Sequence, residues 1–304
     1  PRPIRLGRKG GKFIVAGMGG SHLAGDILKT LRPELDIIIW PNYGLPELPE
    51  KDWRKTSLVA SSYSGNTEEP IDAFEQAVAK NLPVVAIAIG GKLLELAKKH
   101  SVPYVQMPDT GIQPRSALGF SLLALLKVMK QNDLLKEAKN LAKILDPKGL
   151  EEQGKGLAER LRGKLPIIYA SSRSRSIAYN WKIKFNETGK VPAFYNVFPE
   201  LNHNEINGMD VKEVSRPLSE KFYFLFIKDS DDHQKNQKRM EVTAKLYRDR
   251  GLTVEILETT GNSKLEKIFN SLIIADWAAF YTAEGYGLES EQVPIVEEFK
   301  KLIA

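Results

Sequence analysis

Short apolar runs alternate with helix-like segments throughout the first half of this chain. Strands that are separated by helices are typical of a parallel sheet with helices on its faces. The pattern therefore predicts an α/β fold whose first sheet contains the runs KFIVAG (12–17), LDIIIW (35–40), TSLVAS (56–61), PVVAIA (83–88) and VPYVQM (102–107). The helices between and after these runs are predicted at about residues 22–31, 68–80 and 92–99 and within SALGFSLLALLKVMKQ.

The same alternation restarts after a charge-rich helical connector over about residues 133–163, which contains DPKG. A chain of 304 residues exceeds what one hydrophobic core usually organises. We therefore predict two domains, residues 1–146 and residues 147–304, each with a mostly parallel sheet flanked by helices. The second-half strands are predicted at LPIIYA (165–170), KFYFLFIK (221–228) and TVEIL (253–257), with helices ending near Glu187 and Arg250 and two more near 265–284 and 293–303.

Composition excludes several classes of function. The chain has no cysteine, so disulfides, thiolate catalysis and thiolate metal sites are excluded. The net charge is +6, but the Lys and Arg are scattered among Asp and Glu, and no basic stripe indicates nucleic-acid binding. No apolar run approaches the roughly 18 residues of a membrane span, and the basic N-terminus lacks a hydrophobic signal region. We expect a cytoplasmic protein with no nucleic-acid or membrane partner.

The segment GMGGSH (17–22) follows the first predicted strand and opens a helix, where backbone amides can hold an anion. It does not fit a dinucleotide-binding fingerprint, because the third glycine would fall at His22. The acid at the expected distance, Asp36, also lies at the start of the next strand rather than at its end. A structural tight turn remains an alternative for this segment.

A second loop of the same kind, SSYSGNTEEP (61–70), places Ser62, Ser64 and Thr67 at the carboxyl end of a predicted strand. Their hydroxyls, together with amides at the helix start, are suited to the oxygens of a phosphate monoester. Helix capping is the alternative, since Asn66 and Glu69 have the spacing of a capping box. In the second half, SSRSRS (171–176) offers another candidate phosphate loop, which carries two arginines.

Three further side chains are candidates for chemistry. Arg115 precedes the long helix of the first half, where its guanidinium can face a ligand, and Glu187 lies in the turn NETGK at a helix end. His203 lies in the loop PELNHNEI beside Glu205 and is a candidate acid–base group. Surface positions are the alternative for Arg115 and Glu187. The four histidines show no metal-ligand spacing, so we expect no metal and no other cofactor.

Taken together and in this order, GMGGSH, SSYSGNTEEP, QPRSALGF, NETGK, PELNHNEI and VEEFKKLI resemble the sugar isomerase (SIS) superfamily and, within it, the bifunctional phosphoglucose/phosphomannose isomerases. The resemblance implies two SIS-type domains. It assigns to the substrate phosphate the residues Gly20, Ser21, Ser62, Ser64 and Thr67.

The resemblance also implies the catalytic groups. Arg115 stabilises negative charge on the substrate, Glu187 is the base, and His203 opens the sugar ring from the neighbouring subunit of a homodimer. Lys300 matches the lysine of the C-terminal helix, and Gln292 stands near the position where the family often has Thr or Gln. The implied substrates are sugar 6-phosphates, which a non-catalytic SIS regulator would also bind. Such a regulator would have no need for Glu187 and His203 together.

Overall fold

The computed structural model describes residues 11–303, so the basic segment PRPIRLGRKG and the last residue lie outside the described part. The chain divides into two compact units, with the boundary between Lys143 and Ile144. Each unit contains one sheet, and the strand pairs of both sheets are parallel. The predicted α/β fold with parallel, helix-flanked sheets is confirmed.

The sheet of the first unit has the strand order β2-β1-β3-β4-β5. Each of the five apolar runs contains one of its strands, which are β1 (Lys12–Ala16), β2 (Ile37–Trp40), β3 (Thr56–Ser61), β4 (Val84–Ala88) and β5 (Tyr104–Gln106). The helices up to the boundary are α1 (Leu23–Leu31), α2 (Glu50–Trp53), α3 (Glu68–Ala79), α4 (Gly91–Lys99), α5 (Leu118–Val128) and α6 (Asn132–Ile144).

Burial explains the sequence of the central strand. Every residue of β3 is buried, because helices cover both faces of a parallel sheet, and its middle residues 58–60, LVA, are accordingly apolar without alternation. Leu58 and Ala60 pack in one core cluster with Phe74 of α3 and Leu93 of α4. At the edge of the sheet, β5 is partly exposed and shorter.

The sheet of the second unit has the strand order β7-β6-β8-β9. Its strands are β6 (Leu165–Ser171), β7 (Phe194–Phe198), β8 (Phe222–Lys228) and β9 (Thr253–Glu258). Its helices are α7 (Glu151–Arg160), α8 (Arg175–Glu187), α9 (Glu205–Gly208), α10 (Arg216–Ser219), α11 (Gln234–Arg248), α12 (Lys264–Gly285) and α13 (Pro294–Ile303). Short 3-10 turns occur at Gly19–Ser21, Ser172–Ser174, Glu200–His203 and Glu213–Ser215.

The sequence pattern did not predict β7. This strand lies at the edge of the second sheet and most of its residues are exposed or half-buried, so FYNVF lacks the continuous apolar character of a central strand. The predicted helical connector is divided at DPKG into α6 and α7, where Gly149 N donates a hydrogen bond to Asp146 Oδ1 at 2.9 Å.

Aromatic side chains fill one core of the second unit. The ring of Tyr169 on β6 stacks on Phe226 of β8 at a centroid distance of 5.3 Å and meets Phe198 of β7 edge-on at 5.9 Å. Tyr247 of α11 packs against Phe224 at 4.8 Å. Such ring pairs stabilise a core beyond the burial of their area. Within residues 11–303, no helix combines the length and the apolar composition needed to cross a membrane.

Candidate functional site

Two loops meet at the carboxyl edge of the first sheet. Strands β1 and β3 are neighbours, so the loops that follow them, 17–22 and 62–67, leave the sheet side by side. Ser21 Oγ accepts a hydrogen bond from Tyr63 N at 2.9 Å, and Ser61 Oγ donates one to Ser21 O at 2.8 Å. The backbones of the two loops are therefore fixed to each other.

Ser62 organises the second loop from inside. Its side chain is fully buried, and Oγ accepts from Gly65 N at 3.1 Å and from Thr67 N at 3.4 Å. The same hydroxyl donates to Thr67 Oγ1 at 2.9 Å. A hydroxyl that accepts a hydrogen bond can still donate its own hydrogen. The arrangement thus leaves the hydroxyl hydrogen of Thr67 for a partner beyond the loop.

Ser64 occupies the exposed side of this loop, where its Oγ accepts from Asn66 N at 3.2 Å. The capping alternative does not hold, because the side chain of Thr67, the residue before α3, makes no capping hydrogen bond. Asn66 Oδ1 instead accepts from Lys92 N in the first turn of α4 at 3.0 Å. These hydroxyls therefore serve the loop and its surroundings rather than the end of α3.

Gly65 allows the loop to approach its neighbour. Its φ is +77°, a conformation that favours glycine, and an added Cβ would lie 1.9 Å from Gly90 O. Leu93 N donates to Gly65 O at 2.8 Å, which ties the loop after β3 to the start of α4. A side chain at this position would separate the two loops.

The backbone of Arg115 packs against Gly20 in the loop after β1, which is a second close approach between loops. An added Cβ on Gly20 would lie 2.7 Å from the carbonyl carbon of Pro114 and 2.8 Å from Arg115 N. The Arg115 side chain is 3% exposed, and a guanidinium keeps its charge when buried. The first unit thus brings the backbone of the buried Arg115 against the loop 17–22, which is joined through Ser21 to the loop 62–67. The surface alternative for Arg115 is wrong.

The carboxylate of Glu68 and that of Asp36 are both engaged by other side chains. Glu68 Oε2 at the start of α3 accepts from Tyr43 OH at 3.0 Å, and this hydrogen bond raises the pKa of Tyr43 above its ordinary value. Asp36, the acid that a dinucleotide site would need, precedes β2 at the opposite edge of the sheet and pairs with Lys12 at 2.9 Å. The geometry agrees with the exclusion of a dinucleotide site.

In the second unit, Glu187 is the last residue of α8 and is half-buried. The turn after it needs glycine, because a Cβ on Gly189 would lie 2.8 Å from Phe185 O. Lys190 has a φ of +57°, and its Nζ donates to Glu187 O at 2.6 Å. The turn NETGK therefore holds the backbone of Glu187 in one position.

Lys190 also links this turn to the segment before the last helix, since its Nζ donates to Gln292 O. No role was predicted for Lys190 from the sequence, although it is the last residue of the segment NETGK. Lys300 lies on α13 and is exposed, with Nζ 2.6 Å from Glu297 Oε1. All described residues of α13 are at least partly exposed.

His203 ends the 3-10 turn Glu200–His203 and is exposed, whereas Leu201 in the same turn is fully buried. Asn202 Nδ2 donates to Thr243 Oγ1 of α11 at 2.9 Å. The loop is therefore held by its neighbouring residues, and the imidazole is presented to the outside of the unit.

The loop SSRSRS occupies the position in the second sheet that corresponds to GMGGSH in the first, after a strand that has neighbours on both sides. Its donors bind the protein itself. Ser171 Oγ donates to Asp232 Oδ1 at 2.8 Å, Ser172 Oγ to Phe198 O at 2.8 Å, and Arg173 to Asp231 O at 2.9 Å. The carboxylate of Asp232 therefore accepts the hydrogen bond that Ser171 would have to donate to a bound phosphate.

Asp232 is 5% exposed, and its Oδ2 has no hydrogen-bond partner among residues 11–303. Burial raises the pKa of Asp232, and the nearby Asp229 raises it further, while the Ser171 hydrogen bond acts in the opposite direction. The neighbouring Asp231 is mostly exposed, and its hydrogen bond with Lys267 lowers its pKa. Adjacent residues of one loop thus have pKa shifts of opposite sign.

Comparison with known proteins gives a consistent result. The profile of the bacterial phospho-glucose isomerase C-terminal SIS domain matches residues 150–303. The chain is 34% identical to the bifunctional phosphoglucose/phosphomannose isomerase of Caldicellulosiruptor bescii, over 96% of this chain and 89% of that protein. It is 36% identical to the enzyme of the same description from Thermoplasma volcanium, over 96% of this chain and 91% of that protein.

Among solved structures, the fold is similar to that of a hypothetical protein from Thermus thermophilus, with a TM-score of 0.74. The match covers 96% of this chain and 82% of the other, at 17% sequence identity. At that identity, the similarity shows a shared fold.

We predict that Gly20→Ala lowers the free energy of unfolding by about 1–3 kcal/mol, because the added methyl meets backbone atoms that cannot yield without moving the Arg115 segment. Gly119→Ala in α5 is the matched control, since a Cβ there meets nothing within 4 Å. The control is expected to be neutral or to gain up to about 1 kcal/mol. Urea denaturation of both variants measures this difference, and equal stabilities would contradict the close packing.

We predict that Asp232→Asn becomes more stable relative to the parent as pH rises above about 4. The folded-state pKa of Asp232 is raised, so the unfolded chain loses this proton first and the parent loses stability with increasing pH. For Asp231 the folded-state pKa is lowered, so Asp231→Asn should lose stability relative to the parent as pH rises through the acid range. Denaturation from about pH 3 to pH 7 tests both. Slopes of the same sign would contradict the prediction.

Proposed function

This chain belongs to the bifunctional phosphoglucose/phosphomannose isomerase family, and we propose that it interconverts glucose 6-phosphate and mannose 6-phosphate with fructose 6-phosphate. The observation that carries the proposal is the packing of Gly20 against Pro114 and Arg115. This contact fixes the backbone of the buried Arg115 beside the loop 17–22, which is joined to the loop 62–67, and the hydroxyls and amides of these loops are suited to a phosphorylated ligand. Both units are proposed to be SIS-type domains, residues 1–146 with the phosphate loops and residues 147–304 with the C-terminal helix.

The phosphate is proposed to bind at the loops after β1 and β3. Ser64 and Thr67 donate their hydroxyl hydrogens to phosphate oxygens, and Gly20 and Ser21 line the other side. Ser62 contributes through Thr67, because its buried hydroxyl fixes the position of Thr67 Oγ1. The amides in the first turn of α3 add donors that have no partner within the helix.

The reaction begins with ring opening and continues with a proton transfer between C2 and C1. Glu187 is proposed to remove the C2 proton of the open aldose, giving a cis-enediolate, and to return it to C1 to give the ketose, while the hydroxyl proton of O2 passes to O1. Arg115 stabilises the negative charge that develops on the substrate oxygens, where a preorganised cation is most effective. Rotation about the C2–C3 bond in the enediol intermediate lets the same base serve both epimers.

His203 and Lys300 complete the proposed catalytic groups. His203 transfers a proton between the anomeric hydroxyl and the ring oxygen during ring opening. Because its imidazole is exposed at the surface of its own unit, we assign it to the active site of the neighbouring subunit in a homodimer. Lys300 is exposed on α13 and supplies a positive charge to the substrate.

We predict that the purified protein forms both glucose 6-phosphate and mannose 6-phosphate from fructose 6-phosphate with EDTA present, and that Glu187→Gln loses at least about 100-fold in kcat, as removal of a general base does. Glu284→Gln, on the exposed end of α12, is the matched control and should keep full activity. If fructose 6-phosphate binds but neither product forms, the protein is a sugar-phosphate regulator.

Complementation tests the transfer of His203 across the interface. Coexpressed Glu187→Gln and His203→Ala chains should regain about a quarter of the parent activity, since half of the dimers are mixed and each has one complete site. Each variant alone should be nearly inactive. If the coexpressed pair stays inactive while differently tagged chains copurify as mixed dimers, His203 acts within its own chain.

A further inference from the structure

The carboxylate of Glu205 is clamped between two strands of the second sheet. Its Oε1 accepts a hydrogen bond from Tyr169 OH of β6, and its Oε2 accepts one from Asn196 Nδ2 of β7. Tyr169 and Asn196 are direct cross-strand partners in the register of this sheet. Both oxygens are thus fixed by side chains whose spacing is set by the strand pairing.

The two donors are themselves locked. Asn196 Oδ1 accepts from Val197 N at 2.8 Å, so the NH₂ group of the amide faces Glu205. Tyr169 is fully buried, and burial raises the pKa of its phenol far above the ordinary value. The phenol therefore keeps its proton at neutral pH and donates it to Glu205.

Glu205 lies two residues after His203 and begins α9. Between them, Asn204 Oδ1 accepts from Glu205 N at 2.6 Å, and Asn204 Nδ2 donates to Glu200 Oε1 at 2.9 Å. On the other side, Asn202 is held by Thr243 of α11. The exposed His203 therefore lies at the tip of a loop that is anchored before and after it.

We propose that Glu205 is a positioning residue for ring opening, which sets the place of His203 through the clamp with Tyr169 and Asn196. The proposal rests on the proposed function and assigns no proton transfer to Glu205, since both of its oxygens already accept hydrogen bonds from the sheet. Loss of one hydrogen bond would let the loop move, and a displacement of about 1 Å is enough to cost about 100-fold in rate.

The first experiment exchanges donor and acceptor. In Glu205→Gln a single amide oxygen replaces two acceptors, so when it accepts from Tyr169 OH the new NH₂ faces the NH₂ of Asn196 and that hydrogen bond is lost; kcat with fructose 6-phosphate should fall by about 10- to 100-fold. Adding Asn196→Asp restores the pairing, because the introduced glutamine donates to the introduced aspartate while its oxygen still accepts from Tyr169 OH. The double variant should recover most of the activity. If it recovers none, the carboxylate itself is required and the positioning role is wrong.

The second experiment separates ring opening from isomerisation. Opening of fructose 6-phosphate breaks the bond between C2 and the ring oxygen, while the anomeric hydroxyl gives up a proton and the ring oxygen gains one. In 5-deoxyfructose 6-phosphate the hydroxyl that closes the ring is absent, so this substrate is already open. Both Glu205→Gln and His203→Ala should therefore lose kcat on fructose 6-phosphate and keep it, within about 3-fold, on the open substrate. Equal losses on both substrates would overturn the proposal.

Two more variants distinguish the loss of one hydrogen bond to Glu205 from a general loss of folding. Tyr169→Phe removes one hydrogen bond of the clamp without a change of shape and should give the same split between the two substrates. Tyr223→Phe is the matched control, since Tyr223 OH donates to Glu255 Oε2 at 2.7 Å in the same sheet, and it should keep the activity on both.

The outcomes also separate this proposal from the function it rests on. If the parent protein converts neither sugar, the proposed isomerase function is wrong, and the role of Glu205 falls with it. If the parent converts both and Glu205→Gln is as active as the parent on fructose 6-phosphate, only the positioning role is wrong.

Discussion

Parallel strand pairing is the constraint on which the candidate site depends. When neighbouring strands run in the same direction, the loops that follow them leave the sheet at one edge, however far apart they are in sequence. Residues 17–22 and 62–67 meet for this reason, and the hydrogen bond from Tyr63 N to Ser21 Oγ joins them. The same constraint aligns Tyr169 with Asn196 in the second unit, where the pair holds Glu205.

The two units share a strand order but differ in the chemistry at the ends of their strands. Counted within each unit, the first four strands have the order 2-1-3-4 in both sheets. In the first unit, the loops hold hydroxyls on the exposed side and a buried Arg115. In the second, Ser171 donates to the internal carboxylate of Asp232, so the corresponding loop is filled by the protein's own anion. The same strand order therefore carries a loop with exposed hydroxyls in the first unit and a loop whose hydroxyl is bound by the protein itself in the second.

Backbone contacts, more than side-chain contacts, fix the positions of the candidate catalytic groups. Gly20, Gly65 and Gly189 each lie where a Cβ would come within 3 Å of another backbone atom. Where two backbone segments pack so closely that no Cβ fits between them, neither can move without breaking contacts, because protein interiors are close-packed. The backbones of Arg115 and Glu187 therefore start from fixed positions, which limits the reorganisation that binding requires. Lys190 adds a further restraint, because it joins the turn of Glu187 to Gln292.

The sequence by itself determined the α/β class, the central strands and the local motifs, because burial on both faces leaves a continuous apolar run and loops carry small polar residues. It did not reveal β7, whose half-exposed edge position removes that signal. Only the tertiary structure decided that Arg115 is buried beside Gly20. It also decided that Asp232 accepts the hydrogen bond that Ser171 donates, and that side chains of two strands hold Glu205. These facts join residues that are far apart in the chain. Their distances follow from the strand order, which depends on how segments far apart in the chain pair and is not contained in any one segment.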